Sequence, residues 1–361
     1  MSESRGGRWS SGTEAVRRLG VRYPIVQGPF GGGLSTAKLA ATVSNLGGLG
    51  SFGAHILSPD EIFQVTKDIR SLTPNPFAMN LWVSDHDPGG LELSPEEFER
   101  VWALFEPYYR ELGVPKPERP QRYTYRFEEQ VDALLEARPP VFSFVFGVPS
   151  ATILAECRKR GIVTAGAATS IAEARALDDA GVDLIVATGF EAGGHRPSFL
   201  ARAEDSLMGT LALTPLVADR VKAPVISAGG IGDGRGIKAV LTLGAQAAQL
   251  GTAFLACEES GASPAHRAAL FSDQSEHTAL TRAFTGRLAR GLRNRWSDEV
   301  GRVAQLPPFP IQSWFASQLK PAAIQAGRTD LVSLWSGQIA PNLRHRTTPA
   351  LMESLIRELE S

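Results

Sequence analysis

One histidine stands directly after a pair of glycines, in a loop that follows a predicted apolar strand. The strand is predicted at 183–187, and the loop reads Thr188-Gly189-Phe190-Glu191-Ala192-Gly193-Gly194-His195. The pKa of an imidazole lies near neutrality, which suits a general base that takes a proton from a carbon acid. Because the loops after the strands of a β/α barrel carry its reactive groups, we predict that His195 is catalytic. The remaining histidines lack this setting and are interpreted as structural: His55, His86, His266, His277 and His345.

Two further loops predict an anion site. The predicted strands 224–228 and 247–250 end at Gly229-Gly230 and at Gly251-Thr252. Small residues leave the backbone N–H groups beyond a strand open to a ligand, and bare amides at a helix N-terminus bind anions. In an eight-fold barrel, the loops after the seventh and eighth strands usually hold a phosphate. We therefore predict a phosphate cradle, with ordinary turn chemistry in a parallel sheet as the alternative.

Three polar side chains near these loops have roles that the sequence leaves open. Glu191 either orients the imidazole or faces water. Asn80, at the end of the third predicted strand, and Gln249 carry amide groups suited to the polar edge of a flavin, or they only satisfy neighbouring backbone. No cluster of acids or histidines has the spacing of metal ligands, so no metal site is predicted.

Eight short apolar segments alternate with helical patterns between residues 23 and 259. The strands are predicted at 23–27, 49–53, 77–83, 141–146, 162–165, 183–187, 224–228 and 247–250. Strand–helix alternation at this spacing indicates parallel β/α units. Eight such units favour a closed (β/α)8 TIM barrel over an open doubly wound sheet.

The barrel pattern contains one insertion, and a further segment is predicted before it and after it. We predict a polar N-terminal tail at 1–22, the barrel at 23–259, and a helical C-terminal extension at 260–361 that packs on the barrel. A partly helical, partly proline-rich insertion at about 84–140 follows the third strand. Because the insertion lies at a strand end, we expect it to cover the ligand.

The composition argues against several classes of protein. Of the 361 residues, 43% are hydrophobic, and the formal net charge is -1 without a basic stripe, so nucleic acid is not expected as a partner. No apolar run reaches membrane-spanning length. Cys157 and Cys257 form neither a disulfide framework nor a metal site, which fits a reducing cytoplasm. The sequence leaves open whether the chain forms a homodimer.

Four motifs occur in order along the barrel pattern. They are Gln27-Gly28-Pro29-Phe30-Gly31-Gly32, Asn80-Leu81-Trp82, Glu191-Ala192-Gly193-Gly194-His195 and Ser227-Ala228-Gly229-Gly230-Ile231-Gly232-Asp233-Gly234-Arg235. Together they resemble the motif set of the nitronate monooxygenases, formerly called 2-nitropropane dioxygenases, over about residues 23–259. Segments 281–287 and 334–338 of the extension resemble that family as well.

The resemblance implies an FMN enzyme that oxidises alkyl nitronates with dioxygen to carbonyl compounds and nitrite. His195 corresponds to the catalytic histidine of the family, a base for neutral nitroalkanes and a partner for the anionic nitronate. The amides that would hold the phosphate are those of Gly229, Gly230, Gly251 and Thr252. The groups that would contact the isoalloxazine ring are Gly28, Pro29, Phe30, Gly31, Asn80 and Gln249, and Thr188, Gly193 and Gly194 complete the implied cofactor site.

One position departs from the family pattern. Many relatives have a second histidine in the fourth strand, where this chain has Val145, so the resemblance implies a more apolar substrate pocket. A rival on the same scaffold is an FMN-dependent reductase that oxidises NAD(P)H and reduces a quinone or an enoyl thioester. Two more distant alternatives are a flavin-free isomerase or aldolase, for which a lysine at a strand end is missing, and a barrel that only binds its ligand.

Overall fold

Eight parallel strands form a single sheet in residues 12–361, the part of the chain that the computed structural model describes. These strands are β1 (Ile25–Gln27), β2 (Gly50–Gly53), β3 (Phe77–Trp82), β4 (Val141–Val145), β5 (Val163–Ala168), β6 (Leu184–Thr188), β8 (Val225–Ala228) and β9 (Ala247–Leu250). Three short strands form a separate antiparallel sheet: β7 (Gly194–His195), β10 (Thr278–Thr281) and β11 (Ala289–Leu292). Each of the eight predicted strands is present, with small shifts at the ends.

The large sheet closes on itself. Hydrogen bonds join its strands in the order β1-β9-β8-β6-β5-β4-β3-β2. A parallel bridge between Val26 and Leu49 connects the two ends of this order, and the amide of Gln27 donates to the carbonyl of Leu49 at 2.9 Å. The predicted (β/α)8 TIM barrel is therefore confirmed, and the carboxyl ends of its strands form one rim.

Fourteen helices accompany the strands in the described residues. They are α1 (Glu14–Leu19), α2 (Ala37–Asn45), α3 (Pro59–Leu72), α4 (Pro95–Glu111), α5 (Phe127–Ala137), α6 (Ala151–Arg160), α7 (Ile171–Asp179), α8 (Thr210–Ala218), α9 (Gly234–Thr242), α10 (Thr252–Leu255), α11 (Pro264–Leu270), α12 (Arg295–Glu299), α13 (Ile311–Gln325) and α14 (Thr348–Glu360). Most begin at a Ser, Thr, Asp or Asn N-cap, as in α3, where Ser58 and Glu61 form a capping box. Between residues 12 and 361, no helix has both the length and the apolar composition that crossing a bilayer requires.

The last helix of the chain takes the place of the eighth barrel helix. The helix that follows β9, α10, has only 4 residues and is too short to cover the strand. Instead, α14 packs against α2 and α9. Its buried residues Leu351, Met352 and Leu355 lie in one apolar cluster with Leu39 and Ile237. The C-terminal extension is therefore a structural part of the barrel.

Residues 14–19 differ from the predicted polar tail. They form α1, whose Ala15 and Leu19 are buried in the apolar cluster that fills the barrel interior. The hydroxyl of Thr13 donates to the carbonyl of Gln246 at 2.8 Å, and the side chain of Gln246 accepts from the amide of Ala15 at 3.1 Å. Because Gln246 immediately precedes β9, α1 closes the amino-terminal end of the barrel, opposite the rim. Residues 1–11 lie outside the described residues.

The insertion after β3 is shorter than predicted. Helix α5 packs on α3, and its Val131 and Leu134 share an apolar cluster with Ile62 and Ile69. It is thus the barrel helix between β3 and β4. The inserted segment ends before Phe127 instead of at about residue 140, because an amphipathic pattern does not tell whether a helix faces the barrel or another layer.

The insertion and the extension share a second apolar core. The ring of Phe105, in α4, stacks in parallel on Phe315 of α13 at 5.0 Å between centroids. It also stacks on Trp296 of α12 at 5.9 Å. Aromatic pairs at such distances add to the hydrophobic stabilisation from burial. The two segments therefore form one layer next to the rim.

We expect Gly50→Ala to lower the free energy of unfolding by about 3 kcal/mol, because a Cβ at this position would overlap the backbone of helix α2. The added carbon would lie 2.7 Å from the Cα of Ala40 and closer still to its carbonyl group. Urea unfolding measures the loss. Gly12→Ala is the control, because nothing lies within 4 Å of a Cβ there. Equal stability of the two variants would contradict the tight packing of α2 on β2.

Candidate active site

One cavity of about 510 Å³ lies at the rim, between the strand ends and the C-terminal extension. We call it the rim cavity. All of the residues that the sequence analysis assigned to catalysis or to the cofactor line it: Gly28, Pro29, Phe30, Gly31, Asn80, Thr188, Gly193, Gly194, His195, Gly229, Gly230, Gln249, Gly251 and Thr252. Their side chains and amides come from strand ends and loops that lie more than two hundred residues apart in the chain. The closed barrel gathers these loops at one place, because all of them follow strands of the same parallel sheet.

His195 is held by the C-terminal extension. It lies in β7, which pairs antiparallel with β11 so that His195 faces Ala289. Its Nε2 atom lies 2.9 Å from the hydroxyl oxygen of Thr285. The imidazole also meets the ring of Trp82 edge-on, at 4.7 Å between centroids. The ring is therefore fixed on two sides and partly open to the rim cavity.

The loop before and after His195 is anchored by buried polar groups. The guanidinium of Arg196, which is 4% exposed, donates to the backbone carbonyls of Thr188, Thr169 and Ser206. Because three carbonyls from separate loops converge on one side chain, the backbone at residue 195 has little freedom. Arg196 was not identified from the sequence.

Glu191 serves neither of the two roles that the sequence left open. Its carboxylate accepts from the amide of Thr210 at 2.9 Å and from the Thr210 hydroxyl at 2.8 Å. The hydroxyl oxygen of Thr210 also lies 2.9 Å from the carbonyl oxygen of Gly229. Glu191 therefore ties the start of α8 to the His195 loop and does not orient the imidazole.

The imidazole of His195 is neutral in this environment. Burial lowers its pKa well below the usual value of 6.5, and the nearby His55 and Arg287 lower the pKa further. A neutral imidazole has a lone pair available, which is the state that a general base needs. The sequence indicated only the residue type, whereas the surroundings decide the charge.

His55 is a cavity residue, which corrects its interpretation as structural. It follows the end of β2 by two residues and lines the rim cavity. Its ring stacks on Trp82 with centroids 4.0 Å apart and planes 8° apart. The signal was present in the sequence, because the predicted strand 49–53 places His55 just beyond a strand end, as His195 is placed beyond another.

A buried arginine lies behind the aromatic wall of the cavity. The guanidinium of Arg287 lies 4.4 Å from the ring centroid of Phe146 and 4.3 Å from that of Phe309. It pairs with the carboxylate of Asp87 at 2.8 Å and donates to the carbonyl of Ser84 at 2.9 Å. Burial lowers its pKa, although Asp87 opposes this effect. Arg287 ends segment 281–287, which resembles the family, but the sequence indicated no role for it, since its partners come from a loop two hundred residues earlier.

The predicted phosphate cradle has unoccupied backbone donors. In residues 12–361, the amides of Gly229, Gly230, Gly251 and Thr252 donate no hydrogen bond to another loop or to a side chain. Gly229 and Gly230 have φ angles of +110° and +67°, and a Cβ on Gly229 would lie 2.7 Å from the hydroxyl oxygen of Thr210. Glycine is therefore required at Gly229 both for the backbone conformation and for space.

Helix α9 does not contribute its N-terminus to this cradle, contrary to the anion argument from sequence. The amide of Gly234 donates to the carboxylate of Glu358 at 2.7 Å. The amide of Gly236 donates to the carboxylate of Asp233 at 3.0 Å. Two carboxylates thus occupy the first turn of α9, and the open donors lie only in the loops after β8 and β9.

Segment 335–338 of the extension closes the cradle from the other side. The amide of Gly337 donates to the hydroxyl of Thr252 at 2.9 Å, and the amide of Gln338 donates to the carbonyl of Glu191 at 3.0 Å. The hydroxyl of Thr252 accepts from Gly337, so its own proton is available to a ligand. Ser336 and Gly337 also line the rim cavity.

The two amide side chains differ in their surroundings. The Nδ2 atom of Asn80 donates to the hydroxyl of Ser143 at 3.0 Å, so part of its hydrogen-bonding capacity is used within the barrel. The side chain of Gln249 makes no hydrogen bond in the described part of the chain and lines the cavity. Gln249 is therefore the freer of the two.

Residues of the insertion and of α13 form the mouth of the cavity. Tyr123, Thr124 and Tyr125 of the insertion line it together with Trp314 and Lys320 of α13, and the ring of Tyr123 packs on that of Trp314 at 5.5 Å between centroids. The ammonium group of Lys320 donates to the carbonyl of Gly32 at 2.8 Å. Lys320 reaches the rim from a helix, whereas the sequence shows no lysine at a predicted strand end. That the insertion governs ligand affinity stays a prediction.

Acids, histidines and cysteines do not cluster as metal ligands in residues 12–361, where no three of them are close enough to hold an ion.

Several known proteins are similar to this chain over most of its length. A family model described as nitronate monooxygenase matches residues 14–359. A probable nitronate monooxygenase of Staphylococcus saprophyticus is 37% identical over 349 residues, which are 96% of this chain and 97% of that protein. The crystal structure of nitroalkane oxidase from Streptomyces ansochromogenes is similar, with a TM-score of 0.87 and 37% identity over 96% of this chain and 98% of that chain. FabK from Thermotoga maritima has a TM-score of 0.74 and 27% identity, over 97% of this chain and 96% of its own.

The family model covers nearly all of the described residues, and the relative is similar over almost its whole length. The barrel, the insertion and the extension are all included in these matches. The chain therefore belongs to the nitronate monooxygenase family.

Proposed function

We propose that this protein oxidises alkyl nitronates with dioxygen to carbonyl compounds and nitrite, with FMN as the cofactor. The observation that carries the proposal is that the neutral imidazole of His195 and the free amides of the Gly229 and Gly251 loops line the same cavity. An anion cradle beside a base fits a bound phosphate cofactor next to a substrate that loses a proton.

The hydrogen-bond donors of the cradle fit the phosphate of FMN. Four backbone amides and the hydroxyl of Thr252 are available, and the positive φ angles of Gly229 and Gly230 turn their peptide groups away from regular structure. Consecutive free amides form concave sites for anions. The remaining cofactor contacts are proposed from the loop 28–31, together with Asn80, Thr188, Gly193, Gly194 and Gln249.

When bound, FMN would accept electrons from the nitronate and pass them to dioxygen, while the protein would supply binding, orientation and a base. The remaining steps that concern this chain are proton transfer and the positioning of the substrate.

His195 takes the proton from the α-carbon of a neutral nitroalkane or contacts an existing nitronate. The hydroxyl of Thr285 lies 3.2 Å from the carbonyl of Arg287 and 2.9 Å from Nε2 of His195. We assign the hydroxyl proton to the carbonyl, so that Thr285 accepts from Nε2–H. This assignment leaves Nδ1 without a proton and free to act as the base.

Two buried cysteines support the proposal of a reducing compartment, the cytoplasm, as the location. Cys157 and Cys257 are both unpaired, and burial raises the pKa of their thiols to about 11 and about 12. Thiols of this kind are inert and need no oxidising environment.

We expect Gly229→Ala to weaken FMN binding at least about tenfold, because the added methyl group crowds Thr210 and the φ of +110° disfavours any side chain. Titration of the apoprotein with FMN, followed by flavin fluorescence, gives the dissociation constant. Gly244→Ala is the matched control, since Gly244 has a φ of +97° and lies outside the cavity. An equal loss of FMN affinity in both variants would contradict the cradle.

We expect His195→Asn to lower kcat for a neutral nitroalkane by about 100-fold or more, because the variant has no base at the α-carbon. FMN content should stay unchanged, since the imidazole is not a phosphate ligand. The exposed His277 provides the control variant, His277→Asn. Unchanged turnover of nitroethane by His195→Asn would remove His195 from the mechanism.

We expect the activity toward neutral nitroalkanes to show no titration near pH 6.5. The folded-state pKa of His195 is lowered, so the neutral base persists below the usual histidine pKa and is lost only at more acidic pH. The value of kcat/KM for nitroethane should therefore show no change as the pH passes through 6.5, the usual histidine pKa. A tenfold fall per pH unit that begins near 6.5 would contradict the neutral state.

We expect anaerobic mixing of the FMN-loaded protein with propionate 3-nitronate to bleach the flavin absorbance rapidly, and mixing with NADH to leave it unchanged over the same time. The structural similarity to FabK makes this comparison the direct test of the reductase alternative. Oxygen uptake and nitrite release on admission of air complete the assay. Rapid bleaching by NADH alone would favour the reductase.

A further inference from the structure

A second imidazole faces the same part of the rim cavity as His195. His55 stacks flat on the indole of Trp82 at 4.0 Å, and His195 contacts that indole edge-on at 4.7 Å. The two histidines thus come from loops after different strands and share one aromatic neighbour. Both line the cavity.

The ring nitrogens of His55 have no hydrogen-bond partner in residues 12–361. By contrast, Nε2 of His195 bonds to Thr285, and Nε2 of His266 bonds to the carbonyl of Trp335 at 3.0 Å. The fully enclosed polar atoms without a partner are those of Tyr123 and Gln312, so the nitrogens of His55 are not sealed in the protein. A polar ring that faces a cavity without a protein partner is available to a ligand.

The loop that contains Gly31 leaves space for the ring of His55. A Cβ on Gly31 would overlap Cε1 of His55 and would lie 3.0 Å from its Nδ1. Gly31 does not need a positive φ, so the only requirement for glycine there is space. The ring of His55 is therefore held between the backbone at Gly31 and the indole of Trp82.

The protonation state of the His55 ring decides which hydrogen bonds the ring can make. Burial lowers the pKa of His55 to about 3, and the Arg287 charge lowers it further. The neutral imidazole has one N–H donor and one lone pair. It can therefore donate a hydrogen bond to an anion without bringing a second positive charge beside Arg287.

We propose that His55 is a substrate-binding residue, whose N–H donates to an oxygen of the nitro or nitronate group while His195 serves the α-carbon. This inference rests on the proposed function. A nitronate carries its negative charge on two oxygens bonded to one nitrogen, and it needs donors close to the base. His55 meets this need, because its ring contacts the same indole as His195, whereas one N–H of Asn80 is already used by Ser143.

The position of His55 also bears on the missing histidine of the fourth strand. The rim cavity has Val145 at that strand end, yet the wall beside it contains an imidazole from the loop after β2. The pocket is therefore less apolar than Val145 alone suggests. In this proposal, the polar contact to the substrate comes from the loop after β2 and not from the fourth strand.

The test compares His55→Phe with His55→Gln in the FMN-loaded protein. Phenylalanine keeps the stacking on Trp82 and removes the donor, whereas glutamine keeps an N–H at a similar reach. Inorganic nitrite is the probe for binding, because it presents two oxygens on one nitrogen, and its dissociation constant follows from the flavin difference spectrum. Steady-state kinetics with propionate 3-nitronate give KM and kcat separately.

We expect His55→Phe to raise the nitrite dissociation constant and the KM by about 10- to 100-fold, since hydrogen bonds to charged groups are the stronger ones. FMN content should equal that of the unaltered protein, and His55→Gln should recover most of the loss. The inference would be overturned if His55→Phe left the nitrite dissociation constant and the KM unchanged. It would also be overturned if His55→Phe lost FMN while the protein that still holds FMN kept normal values of both constants.

This outcome can be separated from failure of the proposed function. If the unaltered protein does not oxidise any nitronate, the function is wrong whatever the variants do. If the unaltered protein is active and His55→Phe matches it in nitrite affinity and KM, only the role of His55 is wrong.

Discussion

The pairing of Gly194 and His195 with strand β11 is the constraint on which the candidate site depends. A loop after a barrel strand is ordinarily free to move, and a catalytic ring on it would be poorly positioned. Here the C-terminal extension adds a strand to the loop and a hydroxyl to the imidazole, while Arg196 ties the same backbone to three carbonyls of the barrel. The extension thus acts as the support of the active site.

Charge around the cavity is arranged so that both imidazoles stay neutral. Arg287 is buried against Phe146 and Phe309, and Asp87 balances it from the outer side. In a low-dielectric wall, a positive charge acts over a longer distance than in water. Burial is the larger cause of the lowered pKa of His55 and His195, and the charge of Arg287 adds to it while favouring an anionic substrate. The charge of Arg287 therefore helps to keep His195 unprotonated, and it attracts the nitronate that we propose as the substrate.

The extension also completes the barrel itself. Helix α14 covers the position that the four-residue α10 leaves open, and its Glu358 accepts from the first amide of α9. A second core around Phe105 and Phe315 joins the insertion to the extension beside the rim. Barrel, insertion and extension are therefore coupled in stability as well as in the site, which is consistent with their joint presence in the relatives.

The sequence by itself determined the barrel, the two glycine loops and the position of His195, because these follow from local patterns and from one rule: loops after parallel strands share a rim. Only the tertiary structure decided which distant groups meet there. Thr285 lies 90 positions from His195. His55 becomes a cavity residue only through its stacking on Trp82. The neutral charge of both histidines and the role of α14 arise from packing between segments that no local pattern connects, so they could not be read from the chain alone.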